Sequence, residues 1–197
     1  MADLFREAPV RESVNTAEAV GLIGGAIPRG AGTWADLGAG GGTFTRALVE
    51  LLGPSSRIFA VDRDARAVAA LERWAKTNAA NVIPVAADFT SRFDLPGLGE
   101  TMLDGMIFAN ALHFVREADV VLARLAAWVG AGGRVVFVEY DQRAASRWVP
   151  YPIPADRLPA LAASAGLSAP VITATRPSAF GGNLYVATAD RIAKGTG

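Results

Sequence analysis

A glycine-rich turn between an apolar strand and a helix constrains the fold of this chain more than any other feature. Residues 35–63 read ADLGAGGGTFTRALVELLGPSSRIFAVDR. Glycine suits a chain that turns sharply out of a strand, and its missing Cβ lets a ligand approach the backbone closely. The apolar positions of Thr43–Leu52 have helical spacing, and a second apolar strand, Arg57–Val61, follows. The pattern predicts a strand-helix-strand unit with a nucleotide-cofactor crevice at the turn.

An acidic residue, Asp62, follows the second strand. It lies 20 residues beyond Gly42, which brings it beside the tip of the first strand. A carboxylate at that place can accept both hydroxyls of a ribose. Two other interpretations stay open: Asp62 is a solvated strand end, or it caps the helix that begins at Ala65.

The spacing of the glycines distinguishes between several classes of nucleotide-binding motif. The dinucleotide motif G-x-G-x-x-G requires glycine at position 43, where this chain has threonine. A phosphate-binding P-loop requires Gly-Lys-Ser/Thr after the glycines, and that is also absent. The residues match D-x-G-x-G-x-G instead, with Asp36, Gly38, Gly40 and Gly42 at the four defined positions.

With this motif and Asp62 after the second strand, the chain resembles the class I S-adenosylmethionine-dependent methyltransferases of small-molecule type. The resemblance covers about residues 20–190. It implies an α/β fold with a doubly wound, seven-stranded, mostly parallel sheet in the order 3-2-1-4-5-7-6, the last strand antiparallel. It implies S-adenosyl-L-methionine as cofactor, bound by Asp36, Gly38, Ala39, Gly40, Gly42, Asp62, Arg63, Asp88, Phe89, Asn110 and Ala111. Asp88 would contact the adenine amino group, and the segment from Asn110 would contact the methionine moiety.

The rest of the chain alternates apolar strands with helical patterns. Further strands are predicted at 82–86, 105–109, 134–138, 171–174 and 184–189, with helices at 115–128 and 157–165. Glycines 130, 132 and 133 are expected to end the first of these helices. Because parallel strands need crossover connections, this alternation indicates helices on both faces of a parallel sheet. We expect one domain over residues 1–197, with an N-terminal helical segment at 1–30.

The fourth strand is followed by Asn-Ala-Leu-His-Phe, residues 110–114. The Asn/Asp-Pro-Pro-aromatic motif of methyltransferases acting on base amino groups is missing there. The chain has no cysteine, which excludes the cytosine C5 mechanism, disulfides and thiolate metal sites. His113, the only histidine, is the candidate catalytic base. The alternative, which we favour, is a structural histidine, because methyl transfer is accelerated mainly by positioning of the reactants.

A long segment, residues 140–154, separates the fifth strand from the next helix. We expect it to form the acceptor wall or a lid, because it begins at the carboxyl edge of the sheet and long loops are often functional. Its candidate substrate residues combine aromatic faces with positive charge: Tyr140, Arg143, Arg147, Trp148 and Tyr151. The other interpretation is that Trp148 covers the edge of the core or a dimer contact.

The amino-acid composition of the chain limits the kinds of partner that it can bind. Lys plus Arg and Asp plus Glu number 19 each and are interspersed, which argues against nucleic acid. No apolar run approaches the roughly 20 residues of a membrane span, and no signal peptide is evident, so we expect a cytoplasmic protein. No metal site is predicted, although magnesium near Glu139 and Asp141 stays open.

We therefore predict transfer of a methyl group to an oxygen, nitrogen or carbon atom of a small molecule. An NAD(P)-dependent oxidoreductase is the alternative, weakened because alanine stands four residues after Tyr140, Tyr151 and Tyr185, where a Tyr-x-x-x-Lys pair needs lysine. A third possibility is a protein that binds S-adenosylmethionine without catalysis. The sequence does not decide the oligomeric state.

Overall fold

One seven-stranded sheet runs through the part of the chain that the computed structural model describes, residues 14–178 and 181–193. Its strand order is β3-β2-β1-β4-β5-β7-β6, as predicted. The first five strands are parallel, and β7 pairs antiparallel with both β5 and β6. The strands are β1 Thr33–Leu37, β2 Arg57–Asp62, β3 Val82–Ala86, β4 Leu103–Ala109, β5 Val129–Asp141, β6 Val171–Pro177 and β7 Asn183–Asp190.

Helices cover both faces of the sheet. They are α1 Thr16–Ile23, α2 Thr43–Leu52, α3 Ala65–Thr77, α4 Ala118–Ala126 and α5 Leu158–Ser164, with a short 3-10 turn at Leu112–Phe114. Successive strand residues belong to different cores, since side chains alternate between the faces. Ile107 packs in the core that contains the buried residues of α1, α2 and α3, whereas Phe108 packs with those of α4 and α5. The predicted doubly wound architecture is confirmed.

The boundary between α4 and β5 differs from the prediction. The helix spans Ala118–Ala126 rather than 115–128, and β5 begins at Val129 rather than at Arg134. The glycines at 130, 132 and 133 therefore lie within the strand. Pairing with β4 shifts register there, from Leu103↔Val129 to Gly105↔Arg134, so extra residues bulge from β5. A Cβ on Gly133 would lie 3.0 Å from the carbonyl oxygen of Asp104, which explains why glycine suits the bulge.

The predicted N-terminal helical segment contains α1, while residues 1–13 lie outside the described residues. Asn15 caps this helix: its side chain accepts the Glu18 N–H, and the Glu18 carboxylate accepts the Asn15 N–H. The buried residues of α1 share a core with those of α2. Among the described residues, no helix is long and apolar enough to cross a membrane.

Candidate cofactor site

The turn after β1 contains three glycines with left-handed backbone, at φ +83° for Gly38, +50° for Gly40 and +81° for Gly42. Two of them pack closely against the protein. A Cβ on Gly38 would lie 2.6 Å from the Cβ of Ala111, and one on Gly42 would lie 2.5 Å from a methyl carbon of Leu71. Apart from its two chain neighbours, no residue has an atom within 4 Å of a Cβ built on Gly40. Among these three left-handed glycines, Gly40 is therefore the one at which an added side chain would meet open space rather than neighbouring protein.

The carboxylate of Asp62 joins this turn to the end of β2. Its Oδ2 accepts the N–H of Gly40 at 2.7 Å, and its Oδ1 accepts the N–H of Asp64 at 2.8 Å. Each oxygen keeps a further lone pair, because a carboxylate offers about four acceptor positions. The alternative in which Asp62 caps α3 is wrong, since Asp64 is the N-cap and accepts the Arg66 N–H at 2.9 Å.

A cavity of about 370 Å³ opens at the carboxyl ends of β1 to β4. Seven of the eleven predicted cofactor residues line it: Gly38, Asp62, Arg63, Asp88, Phe89, Asn110 and Ala111. Phe114, which belongs to the segment 110–114 expected to contact the cofactor, also lines it, as do Ala87, Thr90 and Val115, which sequence reasoning missed. Ligands of open α/β sheets bind in such a crevice at a switch point, here between β1 and β4. The topology therefore brings distant parts of the chain to one site.

The other four predicted residues, Asp36, Ala39, Gly40 and Gly42, are not among those that line the cavity. Asp36 is buried, and its Oδ2 accepts the Thr45 hydroxyl at 2.6 Å. Burial raises the pKa of Asp36 to about 7, against the opposing effect of the Thr45 hydrogen bond. Asp36 thus ties β1 to α2 from inside the core.

Asp88 and Phe89 follow β3 at the adenine side of the predicted site. Asp88 Oδ1 accepts both the N–H and the hydroxyl of Thr90, at 2.9 and 2.7 Å. The hydroxyl bond is the main reason that the pKa of Asp88 is lowered. The Phe89 ring packs edge-on against Phe108, and its carbonyl accepts a guanidinium N–H of Arg124 at 2.7 Å. Both residues are therefore held in place by the protein before any ligand arrives.

Asn110 follows the last residue of β4 and has an unusual backbone conformation. Its φ is +53°, a left-handed value that asparagine tolerates better than most residues. Its N–H donates to the Val138 carbonyl at 2.9 Å. Its Oδ1 is buried and has no hydrogen-bond partner among the described residues. Because an unpaired buried acceptor costs roughly 1 to 3 kcal/mol, this oxygen favours a ligand that brings a donor.

His113 is 2% exposed and is not among the residues that line the cavity. Its Nδ1 lies 2.6 Å from Oε2 of Glu139, which is fully buried at the end of β5. The ring also lies near those of Phe114 and Tyr140, with centroids 4.4 and 5.8 Å away. This placement favours the structural interpretation over the catalytic one, and the catalytic role stays a prediction.

The segment 140–154 begins within β5, which extends to Asp141, and contacts the turn at 112–114. The Tyr151 N–H donates to the His113 carbonyl at 3.0 Å, and the Tyr151 hydroxyl accepts from Arg116 Nε at 3.2 Å. Val149 and Ile153 are its buried residues. The segment is thus anchored on the wall of the cavity.

Three rings of this region have a guanidinium over them. Arg143 lies 4.6 Å from the Tyr140 ring, Arg147 lies 4.5 Å from the Trp148 ring and Arg116 lies 5.7 Å from the Tyr151 ring. Trp148 is 49% exposed. The five predicted substrate residues are not among those that line the cavity, although the segment that carries them adjoins it. Their contact with substrate stays a prediction.

No cluster of three or more histidine, aspartate or glutamate side chains able to hold a metal ion occurs within residues 14–178 and 181–193. The two carboxylates considered for magnesium have protein partners. Glu139 contacts His113, and Asp141 Oδ1 accepts the Ala155 N–H at 3.1 Å.

Comparison with known proteins agrees with this geometry. The family model described as methyltransferase domain matches residues 35–135, slightly more than half of the chain. No curated protein matches the sequence. A 1,6-didemethyltoxoflavin-N1-methyltransferase from Burkholderia thailandensis, solved with 1,6-didemethyltoxoflavin and S-adenosylhomocysteine, has a TM-score of 0.72 at 22% identity, over 90% of this chain and 78% of that one.

Two further structures share the fold. An S-adenosylmethionine-dependent methyltransferase from Aquifex aeolicus has a TM-score of 0.64 at 17% identity, over 82% of each chain. The [4+2]-cyclase SpnF has a TM-score of 0.71 at 15% identity, over 91% of this chain and 81% of that one. At these identities the likeness concerns the fold, which by itself does not fix the reaction. By its family match and its site, the chain belongs to the S-adenosylmethionine-dependent methyltransferases with the Rossmann-like fold.

Proposed function

We propose that this methyltransferase acts on a small, planar, negatively charged acceptor that binds at the side of the cavity where the 3-10 turn and the segment 140–154 meet. The observation that carries the proposal is a set of three guanidinium groups over aromatic rings: those of Arg143 and Arg147 within the segment 140–154, and that of Arg116 over the ring of Tyr151 in that segment. A guanidinium held over a ring presents a fixed positive charge next to an apolar face. Phe114, 50% exposed in the cavity lining, adds a further ring.

The residues of the cavity fit S-adenosylmethionine, which supplies an electrophilic methyl group on a sulfonium. We propose that the free lone pairs of Asp62 accept the ribose hydroxyls and that the second oxygen of Asp88 accepts the adenine amino group. The unpaired Oδ1 of Asn110 would accept from the amino group of the methionine moiety. The space beside Gly40 and the absence of a P-loop suit a ligand without phosphates.

The role of the protein in the reaction is to place the two reactants. Methyl transfer is an in-line displacement, and holding the reacting atoms in line and close together lowers its barrier. The rigid turn after β1 holds one reactant, and the segment 140–154 would hold the other. No proton transfer by His113 is needed for an acceptor that is already anionic.

A small molecule suits this site better than nucleic acid. The chain has 19 basic and 19 acidic residues, and a nucleic-acid site is expected to show a basic excess on one face. The Burkholderia thailandensis enzyme, which shares the fold, was solved with a small heterocycle bound. We also propose a single domain over residues 1–197 and, from the sequence, a cytoplasmic location.

A methyl-transfer screen tests the proposal. The protein is incubated with methyl-labelled S-adenosylmethionine and a panel of phenolates, heteroaromatic acids, neutral aromatics and oligonucleotides, with Gly40→Val as the inactive control. We expect transfer to anionic ring compounds and none to oligonucleotides. Transfer to neutral acceptors only, or to nucleic acid, would contradict the proposed acceptor class, and binding without any transfer would favour a non-catalytic protein.

A further inference from the structure

Glu139 is a fully buried carboxylate at the carboxyl edge of the sheet, and nothing in the site described so far requires it. It stands in β5 opposite Tyr185 of β7, one residue beyond Val138, which pairs with the last residue of β4. Burying a carboxylate is costly unless hydrogen bonds compensate it. The bonds that Glu139 makes therefore indicate what it does.

Both oxygens of Glu139 contact the 3-10 turn at Leu112–Phe114. Oε1 accepts the N–H of Leu112 at 3.1 Å and the N–H of His113 at 3.2 Å, and Oε2 lies 2.6 Å from His113 Nδ1. The first N–H groups of a helical turn have no partner within the turn. Ala111, the residue before the 3-10 turn, provides no side-chain cap. Glu139 thus caps the turn from a neighbouring strand.

The capped turn forms one wall of the cofactor cavity. Phe114 belongs to the turn, Ala111 and Val115 flank it, and all three line the cavity. The same turn receives the segment 140–154, because the His113 carbonyl accepts the Tyr151 N–H and the His113 ring lies near the ring of Tyr140. One buried carboxylate therefore holds both the cofactor wall and the anchor of the acceptor segment.

We propose that Glu139 is a positioning residue of the methyltransferase site, which acts through the backbone of the 3-10 turn and through the ring of His113. In this arrangement His113 Nδ1 carries the proton and donates it to Oε2 of Glu139. The effect of Glu139 on cofactor binding rests on the placement of S-adenosylmethionine in the cavity. The proton on Nδ1 does not depend on that placement.

Nuclear magnetic resonance shows directly which ring nitrogen of His113 carries the proton, because the chain has a single histidine. In ¹⁵N-histidine-labelled protein without ligand, we expect a protonated Nδ1 in the wild type. In Glu139→Gln the side-chain amide would donate to Nδ1, so the proton should move to Nε2. Identical ring signals in the two proteins would overturn the assigned hydrogen bond. Glu72→Gln, an exposed glutamate on α3, is the matched control and should leave the spectrum unchanged.

Calorimetry with S-adenosylhomocysteine tests the positioning. Glu139→Gln should weaken binding about tenfold, because neutral hydrogen bonds replace charge-assisted ones at the cap. Glu72→Gln should bind within about twofold of the wild type. Wild-type affinity in Glu139→Gln would overturn the positioning role, whereas failure of the wild type to bind would contradict the cofactor assignment itself.

A second pair of variants leaves Glu139 intact and decides the question even where Glu139→Gln does not fold. The amide nitrogen of asparagine can take the place of His113 Nδ1 as a donor, so His113→Asn should bind S-adenosylhomocysteine within about threefold of the wild type. His113→Ala removes the donor and should weaken binding about tenfold. Equal affinities in these two variants would overturn the proposed role of the ring.

Discussion

Asp62 Oδ2 accepts the backbone N–H of Gly40 at 2.7 Å, so the carboxylate after β2 holds the glycine turn after β1. The other oxygen accepts the Asp64 N–H. The glycine motif and the Asp62 carboxylate are therefore joined by a hydrogen bond, which orients the groups proposed to hold the ribose before the cofactor binds. This relationship makes Asp62 the residue whose loss should affect the site most.

Asp62→Ala should weaken S-adenosylhomocysteine binding at least tenfold, because two charge-assisted hydrogen bonds to the ribose are lost, each worth roughly 1.5 to 3 kcal/mol before offsets. Calorimetry measures the change. Asp64→Ala is the matched control: it removes the N-cap of α3, should lower the free energy of unfolding by about 1 kcal/mol, and should leave affinity unchanged. A loss below threefold in Asp62→Ala would show that another residue holds the ribose.

Asn110 allows side-chain chemistry to be separated from backbone strain. Asn110→Gly keeps the left-handed conformation at no steric cost, whereas Asn110→Ala should lose about 1 kcal/mol of stability at φ +53°. Both variants lack the unpaired Oδ1 and should lose cofactor affinity equally. Calorimetry and thermal unfolding of the pair measure this. Wild-type affinity in Asn110→Gly would show that the buried oxygen does not meet the ligand.

Asp36 should make stability depend on pH. Its pKa is about 7 in the folded protein and 3.8 in an unfolded chain, so the folded state binds this proton more tightly. The contribution of Asp36 to the free energy of unfolding is therefore fully present below about pH 4. It is lost as pH rises to about 7, and the change is about 4 kcal/mol.

Asp36→Asn should lack this dependence, so its stability relative to the wild type should rise across that range in denaturant titrations. Thr45→Val removes a hydrogen bond that lowers the pKa of Asp36 and should move the loss to higher pH. Parallel curves for Asp36→Asn and the wild type would mean that Asp36 is ionised throughout.

Trp148→Ala tests the segment 140–154 as acceptor wall. With an acceptor from the methyl-transfer screen, we expect a higher Michaelis constant for the acceptor and a cofactor affinity within about twofold. Trp74→Ala, on α3, removes a tryptophan outside the cavity lining and is the control. Equal loss of cofactor binding, or an unchanged Michaelis constant, would remove Trp148 from the acceptor site.

The parts of the fold that local periodicity and glycine spacing determine were predictable from the sequence. The prediction of α2 at Thr43–Leu52 and of β3 at Val82–Ala86 was confirmed residue for residue. The start of β5 was predicted wrongly. The register of β5 with β4 places Gly130 and Gly133 in a bulge, which no local sequence pattern reveals. Long-range pairing decided that boundary.

The site shows the same division. Asp62 and Asp88 both line the cavity; Asp62 was predicted as an acidic residue after an apolar strand, and Asp88 from the family resemblance. Glu139 gives the signal that identified Asp62, an acidic residue after the apolar run RVVFV, and this could have marked it as more than a magnesium candidate. Val115 was missed because it reaches the cavity only through the short 3-10 turn that precedes it.

Titration of the protein with S-adenosylhomocysteine and, separately, with NADH tests the central claim most directly. We expect saturable one-site binding of S-adenosylhomocysteine, no binding of NADH, and loss of the former in Gly40→Val, whose branched side chain would occupy the space that no protein atom fills. Gly41→Val, in the same turn with open space but without the left-handed φ, controls for a branched side chain in the turn, and the free energy of unfolding of Gly40→Val measures the strain at φ +50° separately. Binding of NADH without S-adenosylhomocysteine, or full affinity in a folded Gly40→Val, would contradict the account.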